Sequence, residues 1–379
     1  MPHDTDPRTV LTLDAGGTNL KFTAIRGNRL LFAPIYVPSE AHDLARCLGN
    51  IERGFREAQA RLTDPAVALS FAFPGPADYP AGIIGDLRNL PGFRGGVALG
   101  PMLEERFGLP VFINNDGNLF VYGEAMAGLL PHVNDLLAAA GNPKKYRNLF
   151  GLTLGTGLGG GVVVDGRLLI GDTSNGGEAN LLRQKLFPET NAEEGACIRA
   201  VRRTYARHAG LPSLEEAPEP REIADIAHGR ASGHEAAARA AFREMGETVG
   251  DALAEALTLV DGLAVLGGGM AAAHELFLPA VIEAMRGEYP GTVDFARHVR
   301  LGQRAYSLED PAQRDEFLAS HARTLRVPGS SREVVYDPVP RVAVGMTRLG
   351  TSEAVAVGAY AFALAQLDAM PVLSVATDV

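Results

Sequence analysis

Residues 9–26, TVLTLDAGGTNLKFTAIR, and residues 148–165, NLFGLTLGTGLGGGVVVD, decide the fold, because each reads as a strand, a glycine turn and a returning strand. In the first, the β-rich run 9–13 ends at Asp14, residues 21–26 return, and 30–37 (LLFAPIYV) read as a third strand. In the second, 148–154 is the strand, 155–161 the turn and 162–165 the return. Working outward, 66–73 (AVALSFAF) is a continuous apolar run, the pattern of a strand buried on both faces of a largely parallel sheet. Residues 109–113 (LPVFI) form another, running into Asn114-Asn115-Asp116. Helical spacing marks 41–62 and 97–107, then 193–208, 221–229 and 233–259. The strand 263–266 (LAVL) leads through Gly267-Gly268-Gly269 into a helix ending near residue 286, and 351–368 is an apolar C-terminal helix. Two halves that open on the same unit predict a duplicated α/β architecture with a cleft between the halves. The stretch 287–340, rich in charge, Pro and Gly, reads as an insertion of weak periodicity.

Five of the turns carry recognisable chemistry. In Asp14-x-Gly16-Gly17-Thr18-x-x-Lys21, adjacent glycines bring backbone N–H groups against phosphate oxygens, and Thr18 adds a hydroxyl. Asp14, at a buried strand's carboxyl end, is placed to hold Mg²⁺ through water. Leu154-Gly155-Thr156-Gly157-Leu158-Gly159-Gly160-Gly161 contains a dinucleotide-like glycine pattern, but a strand follows where that fingerprint needs a helix. It reads as a second phosphate-gripping hairpin. Asp116, just past a buried strand, is placed to take a proton from an attacking hydroxyl, although Asn115-Asp116-x-Asn118 also suits an Asx turn capping a helix. Gly267, Gly268 and Gly269 allow either a flat nucleoside or a close helix to lie on the backbone. Glu178, on the Gly176-Gly177 loop, could accept hydrogen bonds from vicinal sugar hydroxyls or simply be solvated.

Composition narrows the class. With 379 residues, 46% of them hydrophobic, the chain can form two or three domains with real cores. A net charge of -10 argues against broad nucleic-acid binding. Two isolated cysteines, Cys47 and Cys197, suit a reducing cytoplasm. The opening MPHDTDPRTV lacks a basic start followed by an apolar core, and no apolar run reaches the roughly 18 residues of a membrane span, so neither export nor a membrane partner is expected. His208, His228, His234, His298 and His321 lack paired ligand spacing.

Taken in order, LTLDAGGTNLKF, FAFPGPAD with GIIGDLRNLPGF, PVFINNDGN with YGEAMAG, LGTGLGGGVVVDGRL and LAVLGGGM resemble the ROK family (repressors, open reading frames and kinases) of actin-like sugar kinases. The resemblance implies two actin-like, ribonuclease H-like α/β domains with an interdomain cleft: 1–115 with 355–379, and a larger 116–354. It implies ATP and Mg²⁺ as cofactors and a sugar as the small-molecule substrate. Gly16, Gly17, Thr18, Gly155, Thr156 and Gly157 would grip phosphates, and Gly267 to Gly269 would border the nucleoside. Asp116 would be the catalytic base, with Gly75, Asn115, Glu178 and Glu194 at the sugar and Glu193 competing for the last role. The family's sugar- and zinc-touching His falls on Leu181, and its Cys-rich zinc loop is replaced by RQKLFPETNAEEGAC, so no structural zinc is expected. A homodimer is the family expectation. The leading expectation is a glucokinase-like enzyme. Its rivals are a kinase for an N-acetylhexosamine or fructose, a non-catalytic sugar sensor, and a repressor, for which only about eight residues precede the first strand.

Overall fold

The computed structural model describes residues 3–15, 18–87, 91–289 and 298–370. The chain divides into two compact units, Met1–Gly123 with Val355–Val379, and Glu124–Ala354.

In the first unit, Val10–Ala15 (β1) pairs antiparallel with Asn19–Arg26 (β2), which also carries Arg29–Leu30 (β3) and Ile35–Pro38 (β4). The single strand expected over 30–37 is therefore two short pieces. Pro34 has no N–H to give a ladder, and the chain leaves the sheet before it. Ala68–Ala72 (β5) lies parallel to β1, and beyond the small hairpin Ala77–Asp78 (β6) and Ile83–Ile84 (β7), Val111–Asn114 (β8) lies parallel to β5. The order is β3-β2-β1-β5-β8. One face packs on Leu44–Ala60 (α1), where Phe22, Phe55 and Phe71 meet edge-on or tilted. A side chain at Gly54 would collide with the Phe22 ring, so glycine lets the helix settle onto the sheet. On the other face, Val10, Ile25 and Ala68 pack against Tyr360, Ala363 and Leu364 of the C-terminal helix. Leu99–Phe107 (α2) precedes β8, and Asp116–Met126 (α3) follows it.

The first whole helix of the second unit is Leu129–Ala139 (α4), not among the helices expected from the sequence although Leu129, Leu130, Val133 and Leu137 share one buried face. Leu149–Leu154 (β9) turns antiparallel into Leu158–Val164 (β10), edged by Arg167–Leu168 (β11). Helices Glu193–Ala196 (α5), Ile198–Ala209 (α6), Pro220–Ala227 (α7) and Glu235–Val260 (α8) come next, then Leu263–Gly267 (β12), parallel to β9. The helix expected over 193–208 breaks at Cys197, whose backbone is extended. There the Ile198 N–H donates to the Gly155 carbonyl (2.9 Å) instead of to its own helix. The helix after the triple glycine starts only at His274, as His274–Met285 (α9), after a 3-10 turn at Ala271–Ala273.

The stretch 287–340 holds more regular structure than its periodicity signals. It contains the strands Glu288–Tyr289 (β13), His298–Val299 (β14) and Arg304–Ser307 (β15), the helix Pro311–Leu318 (α10), and a hairpin of Arg323–Arg326 (β16) and Glu333–Tyr336 (β17). β15 is the edge of the main sheet, parallel to Arg341–Met346 (β18), and the order is β11-β10-β9-β12-β18-β15. Each unit thus has an antiparallel hairpin continued by parallel strands.

Helices α8 and α9 cross closely because Gly246 and Gly250, one turn apart, face the carbonyls of Phe277 and Val281. Added Cβ atoms would collide with both oxygens. We expect Gly250→Ala to force the helices apart and lower stability by about 2 kcal/mol or more, read as a lower urea midpoint.

Candidate active site

The parallel register sets the first group of residues. Asp14 of β1 lies opposite Ala72 of β5, and Ala72 lies opposite Asn114 of β8, so three strands end level. The chain leaving β5 forms Pro74-Gly75-Pro76, with Gly75 exposed and a cis bond before Pro76. The Tyr79 hydroxyl donates to the Phe73 carbonyl (2.9 Å) and pins this loop. The chain leaving β8 enters α3 at once. The Asn115 side-chain oxygen accepts from the Asn118 N–H (2.6 Å), so Asn115 is the helix cap. The Asn114 side-chain oxygen accepts from the Asn115 N–H (2.9 Å) and from the Asn118 amide (3.0 Å). The Asn114 Nδ2 and Asn118 Oδ1 are buried without partners. Asp116 therefore stands in the first turn of α3, its Oδ1 accepting from the Gly117 N–H (2.9 Å).

Asp14 faces Lys21 across the β1–β2 ladder. Burial raises its carboxyl above the ordinary range, the Asp116 charge raises it further, and Lys21 opposes both. Thr18 has its carbonyl accepting from the Ser39 N–H (3.0 Å). Gly16 and Gly17, and Arg88 to Leu90 of the resemblance, lie outside the described residues. Two carboxylates and a lysine are thus gathered at one end of the first unit's sheet.

The second unit brings a comparable group together. The turn Gly155-Thr156-Gly157 joins β9 to β10, closed by the Gly155 N–H donating to the Gly157 carbonyl (3.0 Å). Thr156 is exposed, and among the described residues only the Gly157 carbonyl, at 4.0 Å, approaches the space beside Gly155. The neighbouring β12 lies level with this turn, Thr153 opposite Gly267. Gly268, at φ +92°, is packed against the Leu154 backbone, whereas the space beside Gly269 is open. The Gly268 N–H donates to the Thr351 hydroxyl (2.8 Å). Gly160 of β10 has a packing role: a side chain there would meet the Gly177 carbonyl. That contact holds the loop bearing Glu178 against the strand. Leu181, the last residue of the 3-10 turn Ala179–Leu181, is 68% exposed.

The two adjacent glutamates differ in their main partners, although Arg199 Nη2 also lies 4.0 Å from Glu193 Oε1. Glu193 reaches the glycine turn, its Oε2 accepting from the Leu158 N–H (3.2 Å) and lying 2.7 Å from where a Cβ at Gly157 would be. Glu194 points instead to Arg199 and Arg203, pairing with Arg203 Nη1 at 2.8 Å, and these arginines hold its carboxyl below the ordinary range. A further residue carries no signal in the sequence. Buried Glu124, of YGEAMAG, accepts from the Leu129 N–H (2.7 Å), the Thr347 hydroxyl (2.5 Å) and the N–H groups of Arg348 and Leu349 (3.1 Å each). It joins the start of α4 to the loop after β18. No spacing rule links residues that far apart in sequence, so only folding reveals it. Among the described residues, no three His, Cys, Asp or Glu side chains cluster as metal ligands.

Comparison with known proteins matches this geometry to a family. The ROK family profile matches residues 10–289. A glucokinase of Thermotoga maritima is 31% identical over 161 residues, 40% of this chain and 46% of the relative. A beta-glucoside kinase of Klebsiella pneumoniae is 28% identical over 217 residues, 54% of this chain and 64% of the relative. The matched stretches thus span less than two thirds of those relatives. The crystal structure of a glucokinase from Parabacteroides distasonis superposes with a TM-score of 0.87 at 48% identity, covering 96% of this chain and 99% of that one. A ROK family glucokinase from Streptomyces griseus, in complex with glucose and AMPPNP, shares the fold at a TM-score of 0.60 and 19% identity, covering 93% of this chain and 98% of that one. The two units are actin-like α/β domains. The chain belongs to the ROK family.

Proposed function

We propose that the protein is an ATP-dependent kinase that transfers the γ-phosphoryl group to a hexose hydroxyl, with glucose as the first substrate to test. The observation that carries this reading is the shared edge at which Asp14 and Asp116 lie close enough for one charge to shift the other. Phosphoryl transfer needs a base at the hydroxyl and positive charge at the phosphates, and little covalent help from the protein.

In this reading Asp116 takes the proton of the attacking hydroxyl. It stands in the first turn of α3, directly past the end of β8, where its Oδ1 accepts from the Gly117 N–H. Asn115 fixes that helix start through its cap and offers its amide to the sugar. Gly75 lies on the neighbouring loop, and Glu178 comes from the loop packed on β10. For the last sugar contact, Glu193 is better supported than Glu194, because Glu194 is held by two arginines while Glu193 lies on the glycine turn. Thr18, Lys21, Gly155, Thr156 and Gly157 serve the phosphates, with Gly267 and Gly269 beside the nucleoside. Gly268 acts through packing.

The residues fit Mg²⁺: Asp14 and Asp116 are two carboxylates whose repulsion a divalent cation relieves, with Asp14 the holder through water. Bound there, it would neutralise charge developing on the phosphates. A cytoplasmic location and a homodimer belong to the same reading. The 68%-exposed Leu181, apolar where the family has a His, is the observation that puts N-acetylhexosamines and fructose beside glucose in the substrate panel.

An ADP-release assay over that panel tests the whole reading. No turnover of any sugar, with sugar binding retained, would make the protein a sensor and overturn it. Asp116→Asn should lower kcat by about a thousandfold while leaving nucleotide affinity within a fewfold. Glu193→Gln should raise the sugar KM or lower kcat/KM by about tenfold or more, against a change of less than about threefold for Glu194→Gln. The reverse ranking would return the contact to Glu194. Asp14 gives a pH test. Its raised pKa means that the folded state binds the extra proton, so its contribution to stability falls as pH rises from the ordinary carboxylate range through the raised value. Asp14→Asn should therefore melt higher than the parent at neutral pH, with the gain shrinking in acid, and should abolish turnover. A variant less stable at neutral pH would contradict the assigned burial.

A further inference from the structure

The hairpin of β16 and β17 is exposed on both faces. All eight of its strand residues are solvent-accessible, among them Leu325, Val334, Val335 and Tyr336. A two-stranded hairpin with nothing packed on it is marginal in water, yet its root is built firmly. Asp337 and Arg341 form a buried ion pair there. Arg341 Nη1 donates to the Phe317 and Ala319 carbonyls (3.0 and 2.6 Å), and the Asp337 carboxylate accepts from the His321 and Val339 N–H groups (3.3 and 3.0 Å). Both roots of the arm are therefore fixed to the second unit while its faces lie open.

The register gives the arm a defined chemistry. Arg323 lies opposite Tyr336 and Leu325 opposite Val334, so these four share one face, with the Arg323 guanidinium 5.7 Å from the Tyr336 ring. From 321 to 336 the arm carries three arginines and one glutamate, in a chain of net charge -10. The same unit holds a groove of about 860 Å³ between α9 and α10. Leu278, Pro279 and Ile282 line it, and Glu275 and Glu283 flank Pro279 at four-residue spacing on the helix face. Among the described lining residues Arg286 is the one arginine, exposed and engaged through Nε with the Ala305 carbonyl (2.7 Å) and Nη2 with Gln313 (2.9 Å), against Glu275, Glu283, Glu288, Glu309 and Asp310. The groove is thus apolar in its floor and acidic at its rim.

We propose that the arm of one copy of this chain seats in the α9–α10 groove of a second copy. The basic, apolar-faced arm complements the acidic, apolar-floored groove. Because both lie on one chain, a two-fold pair satisfies both surfaces twice with a single operation. The buried root presents the arm in one orientation, which lowers the ordering cost of docking.

Sedimentation equilibrium of the full chain tests this with two surface double variants. One reverses the arm (Arg323→Glu, Arg326→Glu) and the other reverses the groove (Glu275→Arg, Glu283→Arg). The parent is expected to be a dimer at micromolar concentration, and each variant alone should dissociate about a hundredfold more readily with an unchanged circular dichroism spectrum. Mixed together, the two should pair again, since a Glu-bearing arm then meets an Arg-bearing groove and the parental arm meets the parental groove. A monomeric parent at tens of micromolar overturns the proposal. So does a dimer indifferent to the arm reversal, or a mixture that stays monomeric. Sugar turnover is read separately, so failure of the arm leaves the kinase reading standing.

Discussion

Three parallel strands that end at the same height are the constraint on which the first unit's chemistry depends. Asp14, Ala72 and Asn114 are level neighbours across β1, β5 and β8. That edge can receive only the residues within a few positions of each strand's end: a carboxylate from β1, the Pro74-Gly75-Pro76 loop from β5, and Asn115-Asp116 from β8. A slip of one residue in β8 would exchange its two faces, moving Ile113 out of the core and turning Asn114 away from the groups it holds. Apolar packing on both faces of the sheet fixes the register, so the core specifies the positions of charges that it does not touch.

The second unit repeats the device with glycine instead of carboxylate. There the hairpin partner, β10, must approach the loop bearing Glu178 so closely that Gly160 and Gly177 admit no side chain. Gly268 likewise admits the Leu154 backbone. Among the described residues, apart from each glycine's chain neighbours, no atom lies closer than 4.0 Å to the spaces beside Gly155 and Gly269. A glycine kept for packing and one kept for a ligand are identical in sequence, since both report only that a Cβ is unwelcome. The neighbourhood of the missing Cβ separates them: packing accounts for Gly160, while the open space beside Gly155 is what the proposed phosphate contact would need.

The same distinction explains what the sequence could and could not disclose. Elements defined by their own periodicity, such as the two hairpins, the buried run 66–73 and the long helix α8, were legible because burial imprints a repeat on them. The break at Cys197 was not, because its cause is a carbonyl at Gly155, far away in sequence. Nor was β15, whose partner β18 is joined only through the whole arm. The site shows this at its smallest scale. Glu193 and Glu194 are adjacent, so on a helical turn they point about 100° apart. Glu194 is held by Arg199 and Arg203, a turn or more downstream, and Glu193 lies where the missing side chain at Gly157 admits it.

Asp14 connects stability to chemistry. A partly buried carboxylate beside a second carboxylate is unfavourable in the unliganded chain, and Lys21 offsets only part of that cost, since the net shift remains upward. A position chosen for stability alone would carry Asn or Thr there, with similar hydrogen-bonding reach and no charge. In the proposed reading the charge would become useful when a cation enters, because the interaction that opposed folding would then be replaced by attraction at the same place. The edge formed by β1 and β8 is therefore a local weakness that a metal–nucleotide complex would relieve. Under the proposed kinase reading, that is the electrostatic form the phosphoryl-transfer site would take before its substrate arrives.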